Sequence, residues 1–274
     1  MRITFTILLP TYKSRFLREC IDSIVAQTYP DWELLVVDDA SPDPIEAVVK
    51  TYDDARIRYY RNAQNYGARH LVDQWNHCLS LATGAYVICM GDDDLLLPHC
   101  LETYAELIGQ YPDIALLHGQ TQIIDEKGNV VKQLMPRPER ESAITMLYHR
   151  TFSRRAQFIG DFCYLRSALV AQGGFYKLPY AWGSDDITAL QAAGQQGIVN
   201  TQEVVFAYRD NAGSITRHAH IAGKLHAVWL EAWWKWQFLH RPAANEQDEQ
   251  YRRLLKRHLL SHTLRKCYYI LRNV

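Results

Sequence analysis

An α/β fold with a doubly wound sheet flanked by helices and a helical C-terminal appendage is predicted by two features of the sequence. In the first half of the chain, short apolar runs alternate with longer segments whose apolar residues recur at helical spacing. This alternation is typical of a doubly wound sheet with parallel strands. From His220 onward the sequence has the pattern of amphipathic helices. A chain of 274 residues is long enough for one large domain with an appendage.

The individual elements follow from the apolar runs and from the residues that end them. Predicted strands cover residues 3–10, 32–39, 56–62, 85–90 and 114–119, and two short strands flank a glycine-containing turn within 120–134. Ser14 and Pro30 bound a first helix, Gly84 follows a second helix within 67–84, and Pro98 opens a third within 98–112. The middle of the chain is less regular, with a strand and short helix in 160–175, a helix in 183–197 and a strand in 203–211.

The zero net charge of the chain conceals two oppositely charged parts. From Arg217 to the end there are 11 Lys and Arg against 4 acids, so this segment carries about +7 and the rest about −7. Six scattered cysteines form no metal-binding spacing and predict a reducing, cytosolic compartment. No apolar run predicts a signal peptide or a membrane-spanning helix.

Polar residues follow the predicted strands at the point where each strand ends. Thr11 and Tyr12 follow the first strand, Asp38 and Asp39 close the second, and a run of three aspartates from Asp92 follows the fourth. Ligands bind beyond the carboxyl ends of parallel strands, so these side chains are expected to converge at one edge.

Each acidic group has two interpretations when it is taken alone. The aspartate run 92–94 suits Mg²⁺ or Mn²⁺ with a diphosphate, or forms a solvated turn in which one carboxylate caps the next helix. Asp38 and Asp39 suit a nucleoside, or an Asx-turn. Asp185 and Asp186 suit a general base, or the capping of a helix.

The order and spacing of these motifs resemble the inverting family 2 glycosyltransferases with the GT-A fold, which implies a Rossmann-like mixed sheet flanked by helices. The resemblance rests on "LLPTYKSRFLRECIDSIVAQTYPDWELLVVDDASPD" and on "NAQNYGARHLVDQWNHCLSLATGAYVICMGDDDLLLP". It covers residues 3–100, with weaker similarity to about residue 216. It implies a glycosyltransferase domain over residues 1–216 and a separate basic, Trp-rich extension over residues 217–274.

The resemblance also implies roles for individual residues. The residues expected to hold the nucleotide-sugar are Thr11, Tyr12, Asp38, Asp39, Asn65, Gly67, Arg69 and Asp92. Asp93, helped by Asp92, takes the metal position, whereas Gly91 stands where the family motif has its first aspartate. Gly197 lies eleven residues after Asp186, which assigns the catalytic base to Asp186 and leaves Asp185 beside it.

A histidine that approaches the metal in this family is replaced here by Asn211, with His218 or His220 as substitutes.

The implied reaction moves a sugar, with inversion, from a nucleotide-sugar, expected to be a UDP-sugar, to a hydroxyl of a saccharide or lipid-linked acceptor. It implies Mg²⁺ or Mn²⁺ as cofactor and a place in surface polysaccharide or glycoconjugate synthesis. One alternative is a sugar-nucleotide nucleotidyltransferase, but the first strand is followed by "PTYKSRF", which has no glycine for a phosphate loop. A non-catalytic nucleotide-sugar-binding protein is the other alternative, which the retained acids disfavour.

The basic extension has two interpretations, and one is a peripheral contact with an anionic membrane surface. Leu225, Val228, Trp229, Ala232, Trp233 and Trp236 lie on one helical stripe. Tryptophan, lysine and arginine favour the membrane interface, which suggests the inner face of the cell membrane. The alternative is a helical appendage that packs on the body or in a homodimer. No motif predicts nucleic-acid binding.

Overall fold

The computed structural model describes residues 3–152, 155–211 and 220–272. Its strands are β1 Phe5–Thr11, β2 Trp32–Asp38, β3 Ile57–Arg61, β4 Tyr86–Cys89, β5 Leu95–Leu96, β6 Leu116–Ile124, β7 Val130–Gln133, β8 Arg140–Glu141, β9 Phe162–Leu165 and β10 Ile198–Arg209. Its α-helices are α1 Leu17–Val25, α2 Ile45–Val49, α3 Leu71–Leu81, α4 Cys100–Gln110, α5 Ala143–Thr151, α6 Arg166–Ala171, α7 Ser184–Ala193, α8 Ile221–Phe238 and α9 Glu246–Arg272.

The strands form one mixed sheet with the order β3-β2-β1-β4-β9-β6-β10-β5, extended by β7 beside β6 and β8 beside β10. The first four strands in this order are parallel, as the alternating sequence pattern predicts. Strand β9 runs antiparallel between β4 and β6, which makes the sheet mixed. The predicted α/β class is confirmed, and the carboxyl ends of β1, β2 and β4 lie at one edge.

The core lies on both faces of the sheet because consecutive residues of a strand point to opposite sides. Ile7 and Leu9 pack with α1, α2 and α4 on one face. Leu8 packs with α3, α5 and α7 on the other. The continuous apolar runs of β1 and β2 reflect this burial on two sides.

Among the element boundaries that differ from the prediction, two have a local explanation. Helix α3 begins at Leu71, because Gly67 adopts φ +70° and a short 3₁₀ turn at 68–70 precedes the α-helix. The strands predicted at 114–119 and after Gln120 form one strand, β6. Gly119 lies inside β6, where an added Cβ would meet the Tyr104 hydroxyl at 2.6 Å, so its lack of a side chain permits close packing within the strand.

The two C-terminal helices pack against the same face as α3, α5 and α7. Trp234 and Phe238 of α8 and Leu255 of α9 belong to the core on that face. The predicted boundary between residues 216 and 217 lies outside the described residues, as does His218. Within the described residues, the helices include none with an apolar stretch long enough to cross a membrane.

The predicted apolar stripe of α8 is divided between the packing face, which includes Val228, and the exposed face, which carries the tryptophans. Trp229, Trp233 and Trp236 are each about half exposed. Helix α8 is buried along Ala227, Val228, Glu231, Trp234, Lys235 and Phe238. The buried face therefore includes two charged residues, and the exposed face carries the tryptophans.

Candidate functional site

The carboxyl ends of β1, β2 and β4 meet as the sequence predicts. The Asp39 amide donates to the Thr11 carbonyl at 2.9 Å, which joins the ends of β1 and β2. One oxygen of the Asp92 carboxylate accepts from the amides of Tyr12 and Lys13 at 3.0 and 3.1 Å, which joins the end of β1 to the loop after β4. The Thr11 hydroxyl is buried and donates to the Leu9 carbonyl at 3.0 Å, whereas Tyr12 is 40% exposed.

Asp38 has a structural role at this edge. Its buried carboxylate accepts from the Ser41 amide at 2.7 Å, from the Tyr59 hydroxyl at 2.7 Å and from the Arg61 guanidinium. These bonds hold the turn after β2 against β3. A carboxylate with this many partners is already committed to the protein, so the Asx-turn interpretation fits Asp38.

Asp39 anchors the loop that follows β3. Its carboxylate accepts from the Asn62 side chain at 2.9 Å and from the amides of Tyr66 and Gly67 at 2.9 and 3.4 Å. The positive φ of Gly67 turns the chain so that these amides face the carboxylate.

An open cleft lies along this loop. Its volume is about 650 Å³, and it is lined by Arg61, Asn62, Ala63, Gln64, Asn65, Tyr66, His70, Asp73 and His77. The rings of Tyr66 and His77 are stacked at its wall with centroids 6.2 Å apart. The predicted residue Asn65 lines the cleft, whereas Arg69 is exposed outside its lining.

The three aspartates after β4 point to different partners. Asp93 accepts a hydrogen bond from the Asn211 side chain, so Asn211 lies beside the aspartate that is expected to hold the metal. Asp94 is buried and accepts from the Arg209 amide at 2.9 Å, so it ties this loop to β10 and does not cap the next helix. His220 is exposed at the start of α8.

Arg209 fixes the aspartate loop from behind. Its fully buried guanidinium donates to the Asp93 carbonyl at 2.8 Å and to Glu19 at 2.7 Å, and it stacks 4.4 Å above the Phe16 ring. The residue was not among the predicted site residues. Its sequence signal is its place two residues before Asn211 in the segment that resembles the family.

The charge of this loop is poorly compensated by the protein. Burial raises the pKa of Asp92 to about 6 and also raises the pKa of Asp93 and Asp94, and the negative charge of Asp93 adds to the rise at Asp94. The described residues contain no cluster of three or more side chains able to hold a metal alone. The donor set fits Mg²⁺ or Mn²⁺ bound by one or two carboxylates together with phosphate oxygens.

The second acidic group lies at the start of α7. Asp186 is buried and accepts from Arg150 Nε at 3.0 and 3.1 Å and from the Gln157 side chain at 2.8 Å. Burial opposes ionisation of Asp186, but the charges of Arg150, Lys235 and other cations outweigh it and lower its pKa to about 2.

Asp185 lies beside Asp186 in a different environment. Its side chain is half-buried. Burial, followed by the negative charge of Asp186, raises the pKa of Asp185 to about 7. Neither Arg150 nor Gln157 was predicted from the sequence, because both are distant along the chain and no local pattern marks them.

The sequence of the chain is similar to the sequences of known glycosyltransferases. The model of the family described as glycosyl transferase family 2 matches residues 6–175. The chain is 28% identical over 213 residues to EpsE of Bacillus subtilis, named as a glycosyltransferase, which covers 75% of this chain and 72% of EpsE.

A second relative, with an assigned substrate, is WfgD of Escherichia coli, a UDP-Glc:alpha-D-GlcNAc-diphosphoundecaprenol beta-1,3-glucosyltransferase. It is 30% identical over 132 residues, which cover 48% of this chain and 51% of WfgD. The chain thus spans about half of that relative.

Solved structures share the fold. TarS residues 1–349 of S. aureus, in complex with UDP-GlcNAc, superposes with a TM-score of 0.73 at 18% identity over 93% of this chain and 72% of that chain. A mannosyltransferase of Pyrobaculum calidifontis, in complex with GDP-Man and Mn²⁺, gives 0.61 at 20% identity over 97% and 74%. These likenesses show a shared fold, and the match over residues 6–175 shows that the chain belongs to glycosyl transferase family 2.

Proposed function

We propose that the chain transfers a glycosyl group from a UDP-sugar to a hydroxyl of a saccharide or lipid-linked acceptor, with inversion at the anomeric carbon. The observation that carries this proposal is the presence of two separate acidic groups, one at the carboxyl edge of β1 and β4 and one at the start of α7. A displacement reaction needs the first group at the leaving diphosphate and the second at the attacking hydroxyl. TarS in complex with UDP-GlcNAc supports the choice of a UDP-sugar.

The nucleoside binds in the cleft along the loop after β3. Asn65 and the face of Tyr66 are available to a base and ribose, and Asp39 holds the loop in place. Asp39 therefore acts on the nucleotide through the loop, since its carboxylate already accepts several hydrogen bonds from protein groups.

Asp93, helped by Asp92, would hold Mg²⁺ or Mn²⁺ together with the diphosphate. Such a cation neutralises the charge that develops on the departing diphosphate. The mannosyltransferase in complex with GDP-Man and Mn²⁺ supports a divalent cation in this fold. Asn211 orients the Asp93 carboxylate, and Arg209 fixes the backbone that carries it.

Asp185 takes the proton of the acceptor hydroxyl. The acceptor oxygen forms a bond to the anomeric carbon while the bond from that carbon to the diphosphate oxygen breaks, and the nucleoside diphosphate leaves with the electron pair. A raised pKa suits Asp185 to this task. Asp186, which the Gly197 spacing favours as the base, is a weak proton acceptor because it is ion-paired with Arg150.

The acceptor is proposed to lie at the cytosolic face of the cell membrane. WfgD is named for an acceptor on a diphosphoundecaprenol lipid. Helix α8 exposes Trp229, Trp233 and Trp236, and α9 exposes Leu260 and other apolar residues between arginines. This surface suits an anionic lipid interface.

A donor screen tests the proposed function. The purified chain is incubated with UDP-, GDP- and dTDP-sugars, with and without Mn²⁺, and the release of nucleoside diphosphate is measured. We expect hydrolysis of a UDP-sugar that requires the divalent cation. Release from no UDP-sugar under any condition, including with saccharide and lipid-linked acceptors, would contradict the proposal.

A further inference from the structure

The backbone directly before the acidic pair is strained. Tyr180 and Ala181 have φ of +59° and +56°, and Gly183 has φ of +86°. Left-handed backbone in two consecutive residues other than glycine is uncommon and persists only where the surroundings hold it. Segment 180–183 directly precedes Ser184, the first residue of α7. The conformation of this segment therefore sets the direction in which Asp185 and Asp186 point.

Helix α8 holds this strained segment by three contacts. The Tyr180 ring lies on Gly223, where an added Cβ would stand 2.1 Å from Cε2 of that ring. Lys224 Nζ lies 5.1 Å from the centre of the Trp182 ring. The carboxyl group of Glu231 packs on Gly183, where an added Cβ would stand 3.0 Å from the carboxyl carbon.

The same helix pair brings a buried charge cluster to the acidic pair. Glu231 is 2% exposed and is paired with Lys235 of α8 and with Lys266 of α9, whose Nζ lies 2.9 Å from both carboxylate oxygens. The cluster carries two cations and one anion, so it presents a net positive charge. Burying a charge cluster costs desolvation free energy. The contact of Glu231 with Gly183 places this cluster next to the start of α7.

We propose that α8 and α9 complete the site, with Gly223, Glu231, Lys235 and Lys266 as positioning residues that hold segment 180–183 and place positive charge next to the start of α7. This inference rests on the proposed function only in taking the acidic pair as the source of the base. It makes the C-terminal helices, which the family match over residues 6–175 does not cover, a working part of the catalytic unit.

The charge of Lys266 acts on the pair in a defined direction. The groups that act on the pair are Arg150 of α5, Asp161 before β9, Tyr164 of β9, Glu231 and Lys235 of α8 and Lys266 of α9, with His262 of α9 beside Lys266. A nearby cation favours the ionised form of a carboxyl group, so Lys235 and Lys266 lower the pKa of Asp186. Removing one of these cations must raise the pH at which Asp186 ionises.

A charge variant tests this directly. The aspartate carboxyls of the full chain are labelled with ¹³C, and their titration is followed by NMR in the wild type and in Lys266→Met, with Asp185→Asn and Asp186→Asn for assignment. We expect the titration midpoint of Asp186 to rise by roughly half a unit or more in Lys266→Met, and to return in Lys266→Arg. Lys256→Met is the matched control, because Lys256 lies on the same helix and forms no ion pair among the described residues.

A geometric variant tests the seat of Tyr180. Gly223→Ala displaces the Tyr180 ring, and we expect a fall in kcat of about tenfold or more with little change in the KM for the donor. Gly109→Ala is the matched control, because Gly109 is also in a helix and has open space around an added Cβ. Thermal unfolding of both variants separates a loss of folding from a local effect.

The outcomes distinguish this inference from the proposed function. Unchanged carboxyl titration in Lys266→Met, or unchanged kcat in a folded Gly223→Ala, overturns the inference even if the wild type transfers sugar. If the wild type has no transferase or hydrolase activity, the proposed function fails. The NMR titration then still decides whether the C-terminal helices fix the charge of the pair.

Discussion

Asp185 and Asp186 are adjacent in the sequence, yet their surroundings give them opposite acid strengths. Asp186 is ion-paired with Arg150 and has a lowered pKa, whereas Asp185 is half-buried, lacks that partner and has a raised pKa. Local sequence does not separate them, because the difference comes from α5, α8 and α9. The two roles proposed for the pair, proton acceptor and charged neighbour, follow from this difference.

The first prediction concerns the pH dependence of transfer. The base must be ionised to accept a proton, so kcat is expected to fall as the pH drops through about 7, the pKa of Asp185. Asp185→Asn should lose transfer by about 10²–10⁴-fold with donor binding retained. Asp186→Asn removes a negative neighbour, so the acid limb of the remaining activity should move to lower pH.

Steady-state kinetics between pH 5 and 9, together with calorimetric binding of UDP, measure both effects. Transfer near the wild-type rate in Asp185→Asn, with Asp186→Asn inactive, would return the base assignment to Asp186. A wild-type kcat that does not change between pH 5 and 8 would also exclude Asp185.

The second prediction concerns Asp93. It is the aspartate of the loop that accepts from Asn211, whereas Asp92 and Asp94 accept from backbone amides. Asp93→Ala should therefore abolish the part of the UDP affinity that depends on Mn²⁺. Isothermal calorimetry with and without Mn²⁺ measures this part, with the exposed Asp113→Ala as control. An unchanged UDP affinity with Mn²⁺ would reject the metal assignment.

At the scale of elements, α8 has two faces with different tasks. Its inner face carries Glu231 and Lys235 toward the acidic pair, and its outer face carries tryptophans of which Trp233 and Trp236 are stacked with centroids 5.1 Å apart. Helix α9 extends the outer surface with basic residues and has no acid after Glu249. An element that contacts both the catalytic acids and the proposed lipid surface could bring a lipid-linked acceptor close to its base.

The third prediction tests this outer face. Replacing Trp229, Trp233 and Trp236 together by serine should abolish sedimentation with vesicles that contain phosphatidylglycerol, because indole rings favour the interface. High salt should weaken binding of the wild type, since each Lys or Arg near the surface contributes about 1 kcal/mol of screened attraction. Serine at Val130, Val131 and Met135, which are equally or more exposed apolar residues of another surface, is the control.

Absence of vesicle binding by the wild type would reject the membrane contact. If the wild type then behaves as a dimer by light scattering and the tryptophan variant as a monomer, the stripe is the interface between two copies of this chain.

At the scale of the whole molecule, the two oppositely charged parts of the sequence pack against each other. The positive C-terminal helices share a core with the body through Trp234 and Leu255. Two of their lysines, Lys235 and Lys266, form ion pairs with the buried carboxylate of Glu231, so part of the positive charge lies inside the molecule. The remaining charge is at the exposed surface, where it is available to an anionic partner.

The sequence by itself determined the α/β class, the parallel strands of the first half and the convergence of acids at one edge. These features depend on local patterns: apolar runs such as that of β1 make buried strands, and parallel strands end at one edge. Only the tertiary structure decided which acids are free to act. It committed Asp38 and Asp94 to protein partners and turned the tryptophans of α8 outward. It also brought Arg150 to Asp186 and Lys266 to Glu231, because these contacts join segments far apart along the chain, and no local pattern records them.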